Sequence, residues 1–182
     1  MEIKTHRLEL VPWNAELASD FVALVQNPDV IRFGYGTPPT AGAALAQLSE
    51  MVQEWETNGF GAYAIRDRET GVIGGYTGVH VPRTLPDLFP ALEVGVRVIP
   101  KWWKRGVAFE AIAPVIDLGF EVLNAQRLVG VFLPANKGAR TINAGVGMTF
   151  RQHALHPRTA MPLEVHEVTR DGWTEARSQL GL

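Results

Sequence analysis

The stretch ALEVGVRVIPKWWKRGVAFEA, residues 91–111, decides how the rest of the chain is read. Residues 92–99 are rich in Val and set Gly95 and Arg97 among apolar neighbours, a strand composition. Lys101, Lys104 and Arg105 make the next segment basic, Gly106 follows, and a helical pattern with Ala and Glu begins after it. A strand that stops at a basic, glycine-bearing turn and feeds a helix presents backbone N–H groups that have no helical partner. They sit at the positive end of the helix dipole. That arrangement is an anion site, and it suits a phosphate.

Composition narrows the setting. A chain of 182 residues is long enough for one domain with a substantial core, and a single domain over residues 1–182 is expected. The 46% hydrophobic and 20% charged fractions are those of an ordinary globular protein. A net charge of −2 argues against general nucleic-acid binding, which rewards a basic surface. Cysteine is absent, which excludes disulfides and thiol nucleophiles and is compatible with a reducing cytoplasm. Residues 1–10 alternate polar and apolar and include Glu2 and Glu9, unlike a signal peptide. No apolar run reaches the length of a membrane span. The expectation is a soluble cytoplasmic protein with neither nucleic acid nor membrane as partner.

Around the central stretch, periodicity supplies the other elements. Residues 7–11 alternate at period two and read as a strand stopped by Pro12. Asn14 is placed to cap a helix carrying Leu17, Phe21, Leu24 and Val25, which ends near Asn27-Pro28. Residues 30–39 read as a loop. Thr40 caps a second helix whose Leu45, Leu48, Met51, Val52 and Trp55 follow helical spacing, and Asn58-Gly59 ends it. Residues 61–66 and 72–81 form a hairpin around residues 67–71. Residues 82–90 hold three prolines and read as a loop. The helix after Gly106 runs to about Leu123 and contains Pro114, which leaves the Glu110 carbonyl without its usual donor. Residues 127–133 are a buried strand, Asn136 begins a helix of weak propensity, and strands at 150–155 and 163–170 close the chain before a polar turn or helix. This order predicts an α/β fold, a mixed sheet flanked by helices.

Several chemistries lack their signatures. No G-x-G-x-x-G opens a βαβ unit, and there is no G-x-x-x-x-G-K-[ST] loop. Ser19, Ser49 and Ser178 lie in no G-x-S-x-G context. His153, His156 and His166 match no zinc spacing, and no metal is expected. Trp102-Trp103 reads as an apolar shoulder under the basic loop, since a base-stacking platform would carry more positive charge.

One family does match in order and spacing. Glu93 to Val98, then Trp103 to Ala111, then Pro134-Ala135-Asn136 and Gly147-Met148, resemble the GNAT acetyltransferases. The branch they resemble includes the acetyltransferases of ribosomal-protein N-termini. The likeness runs almost end to end, through residues 5–10, 27–30, 59–65 and 74–78. It implies a GNAT-like mixed, mostly antiparallel twisted sheet and acetyl-CoA as the acyl-donor cosubstrate. By this resemblance Lys104, Arg105, Gly106, Val107 and Ala108 would hold the diphosphate, mostly through backbone N–H groups. A side chain at Gly106 would block close approach of the phosphates. The pantetheine arm would run along Val96, Arg97 and Val98 like an added strand. Asn136 matches a cofactor-contacting position, and by local physics it is equally a plain helix cap.

The resemblance also implies a reaction, in which an amine attacks the thioester directly. Glu93 matches a frequent family carboxylate and would serve as catalytic base, directly or through water; a hydrogen-bonded strand residue is its structural alternative. A backbone N–H near Val96 would polarise the thioester oxygen. The sequence departs from the family at Ala139, where Ser or Tyr often stands near the departing sulfur, and at Gly145, which reads as structural. Ala139 keeps open an alternative, a CoA-binding or regulatory module with little transferase activity. The acceptor would be a small-molecule or peptide amine, with acceptor loops at 30–39, 81–90 and 153–162. Tyr35, Tyr63 and Tyr76 lie on segments that can approach it, with packing as their other reading. A homodimer stays open, with no motif bearing on it.

Overall fold

Period-two segments in the amino-terminal half pair as antiparallel strands in a computed structural model, which describes residues 2–33 and 37–181. The chain groups into two units, Met1–Gly78 with Val96–Ala111 and Val79–Gly95 with Ile112–Leu182.

In the first unit, β1 (Ile3–Lys4) pairs with β2 (Leu8–Pro12). Asn14 caps a 3-10 turn (Ala15–Leu17) by accepting from Glu16 N–H, and α1 (Ala18–Gln26) continues from it with Phe21, Leu24 and Val25 buried. Asn27 caps a short α2 (Pro28–Ile31), where the sequence suggests that a loop begins. Thr40 accepts from Ala43 N–H at the start of α3 (Ala41–Asn58), which Gly59 ends at φ +73°. The core seam of α3 departs from the expected stripe at its start. It starts at Ala44, which is fully buried, while Leu45 is 44% exposed and Glu54 is buried. Leu48, Met51, Val52 and Trp55 stay on the buried side as expected, and only Leu45 gives its place to Ala44.

Strands β3 (Ala62–Asp67) and β4 (Ile73–His80) form the expected hairpin, and β2 adds to β3 with Leu10 opposite Ile65. Asp67 organises the turn by accepting from the N–H groups of Glu69 and Thr70 and from the Thr70 hydroxyl. The core includes Trp13, Phe21, Leu24, Leu48, Ala62 and Ala64, with Trp13 edge-on to Phe21 at 5.0 Å. Burying a Leu or Phe of this set contributes roughly 1.5–3 kcal/mol.

Strand β5 (Leu92–Val98) and helix α4 (Val107–Asp117) follow, each shared between the units. Two side-chain-free positions on β4 set the path of the β5–α4 connection. A Cβ on Gly75 would collide with the Arg97 carbonyl, and one on Gly74 would lie 2.6 Å from the Trp102 ring. Trp102 is buried flat against that gap, and Ile99 N–H donates to Gly74 O at 2.8 Å. The adjacent tryptophan takes a different role. Trp103 is 44% exposed, and its indole N–H donates to Val98 O at 2.9 Å.

In the second unit the strand order is β5, β6 (Arg127–Phe132), β8 (Pro162–Thr169), β7 (Thr149–Leu155). The β5–β6 pair is parallel, with Leu92 opposite Leu128 and Glu93 opposite Val129, and the others are antiparallel. After Pro114, α4 passes at Asp117 into a π-helical turn, closed by Leu123 N–H on Leu118 O at 3.0 Å. Helix α5 (Lys137–Gly145) precedes β7, and α6 (Arg170–Leu180) follows β8 with Thr169 as its cap. The Trp173 indole donates to Asp117 at 2.8 Å and ties α6 to the end of α4. The fold class is the expected one, a mixed and mostly antiparallel sheet flanked by helices.

Candidate active site

The basic turn carries an unusual backbone. Lys104 has φ +58° and Gly106 φ +74°, while Arg105 between them stays outside that region. A non-glycine residue held there costs about 1–3 kcal/mol and persists only where surrounding structure imposes it. Alternation of hand over successive residues is the geometry in which backbone N–H groups turn towards one concavity. Glu110 N–H donates to Gly106 O at 3.0 Å, so Gly106 supplies the first helical carbonyl and Val107, Ala108 and Phe109 begin α4. Their N–H groups have no carbonyl one turn back. Gly106 has no side chain with which to cap them. Lys104 and Arg105 are exposed, Val107 is buried and Ala108 partly so.

Within the protein, glycine at 106 answers to the backbone rather than to packing. A Cβ there would meet only Arg7 Nη2, at an ordinary 3.6 Å. The positive φ is one that L side chains rarely adopt, so the backbone itself favours glycine here.

Beside this turn stands a cluster that the sequence did not reveal. The Glu110 carboxylate accepts from Thr5 Oγ1, Arg7 N–H and Arg7 Nε, each at 2.6 Å. Arg7 Nη1 also donates to Arg105 O at 3.0 Å. Burial would raise the Glu110 carboxyl, but the hydrogen bonds from Thr5 and Arg7 and the Arg7 charge hold it below its ordinary value. The contacts span about a hundred residues, beyond any local pattern. The available signal was a carboxylate in the first turn of a helix read as an anion site.

On β5, Val96 and Arg97 are partly exposed and Val98 is buried. The Arg97 guanidinium lies 5.5 Å from the centroid of the Tyr76 ring, a cation–π contact. Glu93 is partly exposed beside Val129 of β6 and is engaged by neighbouring groups. Tyr63 is fully buried, edge-on to Trp55 at 4.9 Å, and burial raises its hydroxyl to about 12. It packs, as its second reading had it. Tyr35 lies outside the described residues.

Asn136 caps α5, its Oδ1 accepting from Ala139 N–H at 3.0 Å. Further along α5, Arg140 grips Glu164 of β8 through two donors, at 2.7 and 3.3 Å. His166 stands beside Glu164 and edge-on to Phe132. Its Nδ1 and the Asn143 Nδ2 are buried without a partner among the described residues. Among those residues no group of three or more His, Asp or Glu side chains is arranged to hold a metal. None of the described helices is long and apolar enough to cross a membrane. Val96, Arg97, Val98 and residues 104–108 fall in the first unit, and Glu93 and Asn136 in the second.

Comparison with known proteins identifies the family. A family model for the acetyltransferase (GNAT) domain matches residues 7–149. The FsC-acetyl coenzyme A-N(2)-transacetylase of Aspergillus fumigatus is 28% identical, over 94% of this chain and 77% of its own length. The crystal structure of an acetyltransferase from Agrobacterium tumefaciens superposes with a TM-score of 0.78 at 25% identity, covering 93% of this chain and 95% of that one. The ribosomal-protein-S5-alanine acetyltransferase of Vibrio fischeri shares the fold, with a TM-score of 0.76 at 14% identity over 95% of this chain and 98% of its own. The chain therefore belongs to the GNAT family of acetyltransferases.

Proposed function

We propose that the chain, acting as one catalytic domain over residues 1–182, transfers the acetyl group of acetyl-CoA to a primary amine in the cytoplasm. The acceptor is a peptide N-terminus or a small-molecule amine. The observation that carries the cofactor reading is the turn at residues 104–108. It combines two left-handed residues, two exposed cations and a helix start whose capping position is a glycine. Those features fit a diphosphate, which needs several N–H donors and positive charge at once. Val96, Arg97 and Val98 hold the pantetheine arm alongside β5, and the Asn136 amide nitrogen is the donor left for the cofactor once its Oδ1 is engaged. Acetyl-CoA supplies an activated thioester.

The amine must be neutral to attack. An α-amine has a pKa of about 7.7–8.0 and needs only a modest base near neutral pH, whereas a Lys amine at about 10.4 needs more help. Glu93 takes the amine proton, directly or through a water. As the N–C bond forms, the C–S bond breaks and the sulfur leaves as thiolate. The Val96 N–H bears on the thioester oxygen. Ala139 offers no side-chain proton to the sulfur, and a thiolate is a tolerable leaving group without one.

Acetylation of a panel of peptide and small-molecule amines, followed by mass and by thiol release, tests this. The wild type is expected to acetylate at least one class. Glu93→Gln should slow that transfer by roughly 10²-fold or more, the usual scale for a general base, with CoA affinity little changed. Binding of acetyl-CoA with no amine acetylated would remove the enzyme reading.

A further inference from the structure

The carboxylate of Glu110 is misplaced for an anion site, since it sits in the first turn of the helix whose start is read as the diphosphate cradle. A negative charge there competes with a bound anion for the same field. The structure answers with Arg7. Its Nε and backbone N–H, with the Thr5 hydroxyl, consume the carboxylate oxygens, and its Nη1 reaches past them to the Arg105 carbonyl. Glu110 is only 15% exposed in its side chain, while Arg7 remains 43% exposed.

The bond to Arg105 fixes a direction. A trans peptide is planar, so the C=O of Arg105 and the N–H of Gly106 point to opposite sides. Pulling the carbonyl towards Arg7 aims the Gly106 N–H away from it. The left-handed φ at Gly106 and the Arg7 bond to Arg105 act on the same peptide plane. We infer that Arg7 is a positioning residue for the cofactor: clamped by Glu110 and Thr5, it sets the Arg105–Gly106 peptide so that its N–H faces the diphosphate, and it neutralises the carboxylate that would repel it. The inference rests on reading residues 104–108 as the diphosphate site.

Simple charge counting and this inference predict opposite signs. Removing a carboxylate beside an anion site should tighten anion binding by electrostatics alone. Releasing the clamp should weaken it, because Arg7 no longer holds the turn. Calorimetry on the full chain compares CoA with pantetheine, which lacks the diphosphate. Wild-type protein should bind CoA much more tightly than pantetheine; equal affinities would sink the diphosphate site itself, whatever Arg7 does.

Given that difference, Glu110→Ala is expected to weaken CoA about fivefold or more, the scale of one ordinary hydrogen bond, and to leave pantetheine within about twofold. Tighter or unchanged CoA binding overturns the clamp. So does an equal loss for both ligands, which marks general loosening. Arg7→Lys decides if Glu110→Ala does not fold. It keeps one cation but cannot serve Glu110 and Arg105 together. It too should lose CoA affinity selectively, and full retention overturns the inference.

Discussion

Helices α4 and α5 begin in opposite ways. At α5 the side chain of Asn136 bends back and accepts from Ala139 N–H, so the helix satisfies its own start. At α4 the corresponding place belongs to Gly106, which has nothing to bend back, and the chain reaches it through a strained Lys104. Satisfying orphan donors internally stabilises a helix by about 1 kcal/mol. Leaving them open forgoes that stability and leaves N–H donors available to a ligand. The residue that looks weaker as a helix start is thus the better one for a ligand. The polar side chain at Asn136, which the family resemblance assigns to the cofactor, spends its oxygen on the fold.

The largest effect comes from closing the open start. Gly106→Asp adds a negative side chain at a left-handed position, costing about 1–2 kcal/mol in backbone strain. CoA affinity is expected to fall on the order of a hundredfold, about 2.7 kcal/mol, while the thermal midpoint moves only a few degrees. Retained CoA affinity would erase the contrast between the two helix starts.

A smaller effect separates the two roles of Asn136. Asn136→Ala removes the cap and should cost about 1 kcal/mol, or roughly 2–4 °C in thermal midpoint for a chain of this size. Asn136→Asp keeps an oxygen for Ala139 N–H and deletes the amide donor. It should melt like the wild type, yet bind CoA several-fold more weakly. Unchanged CoA affinity would reduce Asn136 to a cap.

The smallest effect concerns pH and the ground under α5. Burial lowers the His166 pKa, partly offset by Glu164 and reinforced by Arg140. An unfolded His titrates near 6.5, so below that pH the unfolded chain binds a proton that the folded one resists. Stability contributed by neutral His166 is present above about 6.5 and is lost as pH falls through its lowered folded value. Urea titrations between about pH 5 and 7 should show a flatter pH slope for His166→Phe than for the wild type. The exposed His153, tilted against Phe150, gives the control His153→Phe.

Much of the fold was legible because its signals are local. Thr40 and Gly59 bracket α3, and Asp67 with Thr70 closes the hairpin, all through hydrogen bonds within a few residues. Errors arose where tertiary packing chose between near-equal local options. Leu45 and Ala44 both fit a helical stripe, and burial selected the smaller residue. Strand β1, two residues long, has too little pattern to read and exists by pairing with β2. The site divides the same way. The turn at 104–108 announced itself by charge and glycine, whereas the Thr5–Arg7–Glu110 cluster joins residues about a hundred positions apart and could be inferred only from a carboxylate out of place.

The two glycines of β4 bear on how tolerance to substitution is interpreted in this protein. Gly74 gives its missing side chain to the Trp102 ring, and Gly75 gives way to the Arg97 carbonyl. Neither residue has any chemistry to offer a substrate. Yet any side chain at either would shift the connection that delivers the basic turn, so both positions would be as invariant among active descendants as a proton-transferring residue. Conversely, Lys104 and Arg105 are exposed, so a change of either side chain disturbs no packing. Along this chain, the positions least free to vary and the positions closest to the reaction need not coincide.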